Sequence, residues 1–251
     1  MLLARAGIPE RYRRCTLSNF DTHATDPKVQ ELLLRARRVS ERYVNEFFDP
    51  KEDRYRTKGL IFVGPPGTGK THLAAAVLAE LIRRHRLRGR FIDFTSLLHQ
   101  IRSTFDDSAP ESKRQIMDPV IEAEVLVLDE LGAQKATEWV REMLYYVINT
   151  RYTRLLPTIF TTNYLLERPA DRSHGPSDRS FPGLDANVAH LDDSAAYRAA
   201  RPRPPAEAFE LLESRISPLL VSRLFEMAEP LRLENRDYRR EIKKYQRILG
   251  G

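Results

Sequence analysis

The chain has 251 residues, 41% of them hydrophobic, with 41 Lys and Arg against 35 Asp and Glu, giving a net charge of +6. No apolar run approaches the ~20 residues of a membrane span, and the apolar stretch at the N-terminus is too short for a secretory signal. A single cysteine, Cys15, leaves no internal disulfide and no cysteine-based zinc site. These absences predict a cytoplasmic protein with no membrane partner, and the basic balance suits a polyanionic partner.

Residues 1–56 read as a leader. Within it Val29, Leu32, Leu33, Ala36, Val39, Tyr43 and Phe47 recur at helical spacing over 27–48, with Arg35, Arg37, Arg38 and Arg42 mostly between them. That is an amphipathic helix with a basic, solvated side. The pattern then changes over 57–164, where strand-like and helix-like segments alternate as in a parallel α/β sheet. Lys58 to Val63 is a short apolar run rich in strand formers.

Gly64-Pro65-Pro66-Gly67-Thr68-Gly69-Lys70-Thr71 follows it, a complete G-x-x-x-x-G-K-T phosphate loop. Each position has a physical task on a nucleoside triphosphate. The glycines let the backbone turn tightly enough to aim N–H groups at phosphate oxygens. Lys70 places a positive charge on the β- and γ-phosphates, and the Thr71 hydroxyl suits Mg²⁺. The helix predicted from Lys70, with Leu73, Ala74, Val77, Leu78 and Leu81 at helical spacing, adds the positive end of its dipole. His72, in the first turn, is expected to pack near the nucleotide rather than ligate a metal.

Further along, Arg90 to Phe94 reads as a second strand and Ser96 to Phe105 as a helix. Glu122 to Leu128 leads into a third strand, Thr137 to Tyr152 reads as a helix and Leu156 to Thr161 as a fourth strand. The third strand ends in Asp129-Glu130. A phosphate-loop enzyme needs an acid there to hold Mg²⁺, for which Asp129 fits, and a group to orient or deprotonate water, for which Glu130 is the candidate. Asn163 closes the fourth strand at the edge where parallel sheets bind ligands, placed to bond the γ-phosphate or the attacking water.

Residues 165–208 hold six of the sixteen prolines and little apolar periodicity, as expected of a disordered insertion. Residues 209–251 resume the order: an apolar-periodic stretch over 209–227, a short strand at 230–233, and a basic helix over 237–248.

The series G-P-P-G-T-G-K-T, L-V-L-D-E-L-G and T-T-N resembles AAA+ ATPases of the DnaC/IstB-like group, the bacterial helicase loaders and transposase-helper ATPases. Gly7 to Tyr12, Thr16 to Phe20, Val221 to Met227 and Asp237-Tyr238-Arg239 are similar to the family's leader, "SRLxEM" and "DYR" segments. The resemblance implies an α/β P-loop NTPase of AAA+ type, a parallel sheet flanked by helices, with a short helical leader and no full separate lid domain. It implies ATP and Mg²⁺ as cofactors, ATP hydrolysis to ADP, and homo-oligomers when ATP is bound. It also implies DNA, single-stranded or duplex, and a replicative helicase or transposase as partners.

From the same resemblance, Arg223 matches an arginine that completes a neighbouring subunit's site. Arg215 is the second choice, or a sensor of nucleotide in its own subunit. Ile8, Tyr12 and Phe20 become candidates for an adenine pocket. The long insertion and the absence of a cysteine-rich zinc domain depart from the family pattern. No aromatic-basic motif marks a base-stacking platform; the candidate DNA contacts are Arg102, Lys113 and Arg114, or Arg239, Arg240, Lys243 and Lys244. The alternative function is a nucleotide-gated docking adaptor with little hydrolysis. A metabolite kinase fits the Asp129-Glu130 pair poorly.

Overall fold

The computed structural model describes residues 2–103, 110–134, 137–167, 210–234 and 238. The basic helix expected over 237–248, with Arg239, Arg240, Lys243 and Lys244, lies outside them apart from Tyr238, as does nearly all of the 165–208 insertion.

Five strands form one parallel sheet: β3 (Gly59–Val63), β4 (Gly89–Asp93), β5 (Val125–Asp129), β6 (Thr158–Thr162) and β7 (Ala228–Arg232). Their order is β4-β5-β6-β3-β7, so the phosphate-loop strand sits between β6 and β7. Every residue of β3, β5 and β6 is buried, which explains why they read as continuous apolar runs rather than alternating ones. Ahead of the sheet stand α1 (Leu2–Arg5), α2 (Pro27–Asn45) and a small antiparallel hairpin, β1 (Phe48–Asp49) with β2 (Arg54–Tyr55). The hairpin ends α2 three residues short of the predicted helix.

Alternate strand residues face two apolar layers. Leu60, Phe62, Val125 and Val127 pack against α3 (Lys70–His85), α2 and the leader residues Ala6, Ile8, Leu17 and Phe20. Ile61, Val63, Leu126 and Leu128 face the opposite layer. That layer is α4 (Phe94–Ser103), α5 (Pro110–Ile121), α6 (Glu138–Thr153) and α8 (Pro218–Met227). The leader thus belongs to the core of the sheet. Helix α3 is buried on nearly all sides, and its run of Ala74, Ala75, Ala76 and Ala79 lets the strands and α2 approach closely.

The expected continuous helix over 209–227 is instead two, α7 (Leu212–Arg215) and α8. Ser217 caps α8 by accepting from the Leu220 N–H at 3.3 Å, and Pro218 takes the first helical position, so the second helix starts afresh. Leu165 and Leu211 pair in an isolated parallel bridge, which brings the two ends of the insertion together.

Candidate functional site

The C-terminal ends of the strands carry the chemistry. Gly64 takes a φ of 156°, and a Cβ there would lie 2.0 Å from the Leu233 carbonyl oxygen, so only glycine lets β3 turn into the loop beside the chain that follows β7. Gly69, at φ 93°, caps α3, and a Cβ on it would meet the Phe20 ring at 2.5 Å. Lys70 is buried and donates to the carbonyls of Gly64 at 2.8 Å and Pro65 at 2.7 Å, and Thr68 donates to Pro65 at 2.9 Å.

Asp129 is the hub. Its Oδ1 accepts from the Thr71 hydroxyl at 3.1 Å and from the Thr161 hydroxyl at 2.5 Å. Thr161 in turn accepts from the Glu130 N–H at 3.0 Å. One threonine of β6 therefore ties together both acids that end β5. Burial is the main force on Asp129, raising its pKa from 3.8 to about 6 against the two hydroxyls that lower it; the nearby Glu130 and Asp93 carboxylates add to the rise. Glu130 adopts a left-handed φ of 60°, rare for a residue with a side chain.

Asp93 ends β4 directly opposite Asp129, and carboxylate oxygens of Asp93, Asp129 and Glu130 lie within 4.8 Å of one another. Hard oxygen ligands at this density, beside the Thr71 hydroxyl, fit Mg²⁺.

These residues open onto a cleft of about 420 Å³ lined by the loop from Pro66 to Thr71, His72, Glu130, Thr161 and Asn163. Gly64 and Pro65 do not line it; their carbonyls accept from Lys70, which does. The leader forms the facing wall through Tyr12, Asn19, Phe20 and Asp21, whereas Ile8 is buried in the core and does not line it. His72 anchors that wall: its Nε2 is 2.9 Å from the Thr16 carbonyl, and its ring meets Phe20 edge-on at 5.4 Å. Burial lowers the His72 pKa, which keeps the ring neutral near pH 7. Tyr238 reaches the cleft from the C-terminal segment, its N–H donating to the Gly67 carbonyl at 3.3 Å.

The two candidate arginines lie outside this cleft. Arg215 donates to the carbonyls of Gly132 at 3.0 Å and Ala133 at 2.9 Å and stacks on Tyr164, so it braces the turn that follows Glu130. Its guanidinium is engaged with that turn and with Glu210. Arg223 lies on the α6–α8 surface over the rings of Tyr145 at 4.8 Å and Tyr152 at 5.8 Å. It has no ion pair among the described residues. Arg102 stacks over Trp139 at 4.9 Å; the Lys113 side chain lies outside the described residues.

Thr161, Asp93, Asn19, Asp21 and the placement of Tyr238 escape a reading of the sequence. A strand ending in Asp, as Phe91-Ile92-Asp93 does, was the available signal for the third carboxylate.

A family model for IstB-like ATP binding proteins matches residues 30–171. The replicative helicase loader DnaC of Escherichia coli K12 is 28% identical over 166 residues, 65% of this chain and 61% of DnaC. A Geobacillus stearothermophilus protein of insertion sequence IS5376, named for ATP binding, is 34% identical over 152 residues, 61% of this chain and 53% of its own length. The chain thus spans about half to three-fifths of these curated relatives. Among solved structures, that of a DnaC helicase loader superposes with a TM-score of 0.61 at 30% identity, covering 90% of this chain and 100% of the other. AMPPCP-bound DnaA from Aquifex aeolicus, at 15% identity and a TM-score of 0.56, shares the fold. The phosphate loop, the parallel sheet and the family match agree: the chain belongs to the family of IstB-like ATP-binding proteins.

Proposed function

We propose that this protein is a Mg²⁺-dependent ATPase that works as an oligomer on DNA, as a loader for a replicative helicase or a helper for a transposase. The observation that carries the hydrolytic part is the linkage Thr71–Asp129–Thr161–Glu130. It couples the residue type that contacts the metal to the one that handles water.

On this reading the loop N–H groups and Lys70 bind the phosphates, and Thr71 and Asp129 would hold Mg²⁺. The ion supplies charge neutralisation for the β- and γ-phosphates. Glu130 orients the attacking water and accepts its proton, while Asn163 bonds the γ-phosphate or that water. Arg223 of a neighbouring copy stabilises the charge that develops on the transferred phosphoryl group. Its position outside its own subunit's cleft, without an ion pair among the described residues, suits action on another copy. Tyr12 and Phe20 offer an apolar wall for the base. The choice between helicase and transposase rests on the relatives in both classes, and a cytoplasmic location goes with either.

Phosphate release from ATP, followed with and without EDTA over a range of protein concentrations, tests the proposal. Turnover that needs the metal and rises per subunit with concentration supports it. Tight ATP binding with no turnover favours the docking adaptor instead.

A further inference from the structure

Arg223 rests in a cradle built by its own subunit. Tyr145 and Tyr152 stand two turns apart on α6, and both rings are exposed. Helix α8 packs against α6 and carries the Arg223 guanidinium over both rings, 4.8 Å from the centre of Tyr145 and 5.8 Å from that of Tyr152.

The cradle leaves the arginine's donors free. A cation over a ring face is held through its charge and not through its N–H groups. Among the described residues Arg223 makes one hydrogen bond, a long one of 3.5 Å from Nη2 to the Tyr145 hydroxyl, and its buried Nη1 has no partner.

A carboxylate stands close enough in sequence to take those donors. Glu226 follows Arg223 by three positions on α8, the spacing at which opposite charges on a helix meet. Glu138 and Arg141, equally spaced on α6, do pair. Glu226 is occupied elsewhere: its Oε2 accepts from the Tyr152 hydroxyl at 2.6 Å. The bond to that carboxylate raises the Tyr152 pKa, so the hydroxyl stays a donor at neutral pH. One tyrosine therefore lends its ring to the arginine and engages the acid that would neutralise it.

We propose that Tyr145 and Tyr152 are positioning residues for the intersubunit ATPase site. They hold Arg223 in one orientation, with its N–H groups unspent for the γ-phosphate bound by a neighbouring copy. Tyr145 acts through its ring, and Tyr152 through its ring and its hold on Glu226. An arginine already fixed loses less side-chain freedom on meeting phosphate, and one without an ion pair brings its full charge. The inference rests on the reading of Arg223 given above.

Phosphate release by mixtures of inactive variants tests it, because a mixture separates the subunit that lends the arginine from the one that receives it. In the reference mixture Glu130→Gln lends Arg223 and Arg223→Ala receives it. Tyr145→Ala added to the lending chain should lower turnover about tenfold with the KM for ATP unchanged. The same change in the receiving chain should alter turnover less than about twofold, which also shows that the variant folds. Tyr145→Phe in the lending chain should keep most of the turnover, since the ring remains. In the otherwise wild-type chain Tyr152→Phe frees Glu226 to pair with Arg223, so kcat should fall about fivefold and recover when Glu226→Gln is added. Equal loss with Tyr145→Ala on either side, or loss on neither, overturns the role of Tyr145. Tyr152→Phe as active as wild type, or no recovery with Glu226→Gln, overturns the role of Tyr152. A reference mixture without turnover overturns the reading of Arg223 itself, and the inference with it.

Discussion

The Thr71 hydroxyl donates to Asp129 at 3.1 Å across 58 positions of sequence, joining the first turn of α3 to the end of β5. The contact joins the phosphate loop to a carboxylate that burial has made reluctant to ionise, and the two side chains together would hold a metal ion. Ligand-free protein therefore carries a buried charge that the bound metal would relieve.

That carboxylate makes stability depend on pH. Asp129 has its pKa raised to about 6 in the fold from an ordinary 3.8, so the folded chain holds the proton more tightly than the unfolded one. Below pH 3.8 the group costs nothing. The penalty grows as pH rises through 6 and is complete above it, reaching about 3 kcal/mol. Asp129→Asn keeps the acceptor for both threonines and removes the charge. Ligand-free D129N should melt several degrees above wild type at pH 8, with the gap shrinking toward pH 4.5, and should lose Mg²⁺-dependent turnover. Thermal melts across that range check the first point; a variant no more stable than wild type at pH 8 contradicts it.

Thr161 is expected to matter for turnover more than for binding. It bridges Asp129 and the Glu130 backbone, the two acids assigned to metal and water, rather than bonding the phosphate loop. Thr161→Val should lower kcat by roughly 10–100-fold with a small change in ATP affinity, and Thr161→Ser should restore most of it. Glu130→Gln should lower single-turnover hydrolysis at least 100-fold while ATP still binds.

The phosphate loop and the Asp129-Glu130 pair are legible in sequence because their chemistry is local. Glycines at fixed offsets, a lysine and a threonine do their work within eight residues, and β5 announces its end by changing from apolar to acidic. Strands β3, β5 and β6 are legible for the same reason, since burial on both faces writes itself as short apolar runs; β7, half-exposed at the edge, begins at Ala228, two residues before the expected strand. Thr161 and Asp93 are not, because their meaning lies in pairing with another strand. Residues 110–121 form α5 with a proline inside it, Pro119, and a polar first half, so no helical period stands out. The hairpin at 48–55 is two residues per strand, too short for alternation to show, and the amphipathic pattern of α2 runs on into it.

The leader should loosen when its anchor is cut. Phe20 and His72 join it to the loop at one place, against Gly69. Phe20→Ala should weaken ATP binding about tenfold, measured by calorimetry, and should speed proteolysis between residues 9 and 21. Unchanged affinity would show that the leader wall does not contact the nucleotide.

Arg151 is a structural counterpart to the site, fully buried and with no carboxylate partner among the described residues. Its guanidinium donates to the carbonyls of Val120, Ala123 and Pro157 at 2.8–3.0 Å and to the Thr158 hydroxyl at 2.8 Å. It stitches α6 to the entry of β5 and β6. Arg151→Met leaves those acceptors buried without a donor and should cost on the order of 3 kcal/mol, lowering the melting temperature by roughly 6–12 °C. Its effect on ATP affinity per folded molecule should be small.

The intersubunit nature of the ATPase site is tested most directly by mixing two inactive variants. Arg223→Ala keeps its own acids and lacks the arginine it would lend, whereas Glu130→Gln lends the arginine and lacks its own base. Each alone should bind ATP and fail to turn it over. In an equimolar mixture, sites formed by the Arg223→Ala cleft and the Arg223 of a Glu130→Gln neighbour are whole, so phosphate release should return to a substantial fraction of wild type. A mixture as inactive as its parts, or an Arg223→Ala protein with normal turnover by itself, would contradict a site completed by Arg223 of a second copy.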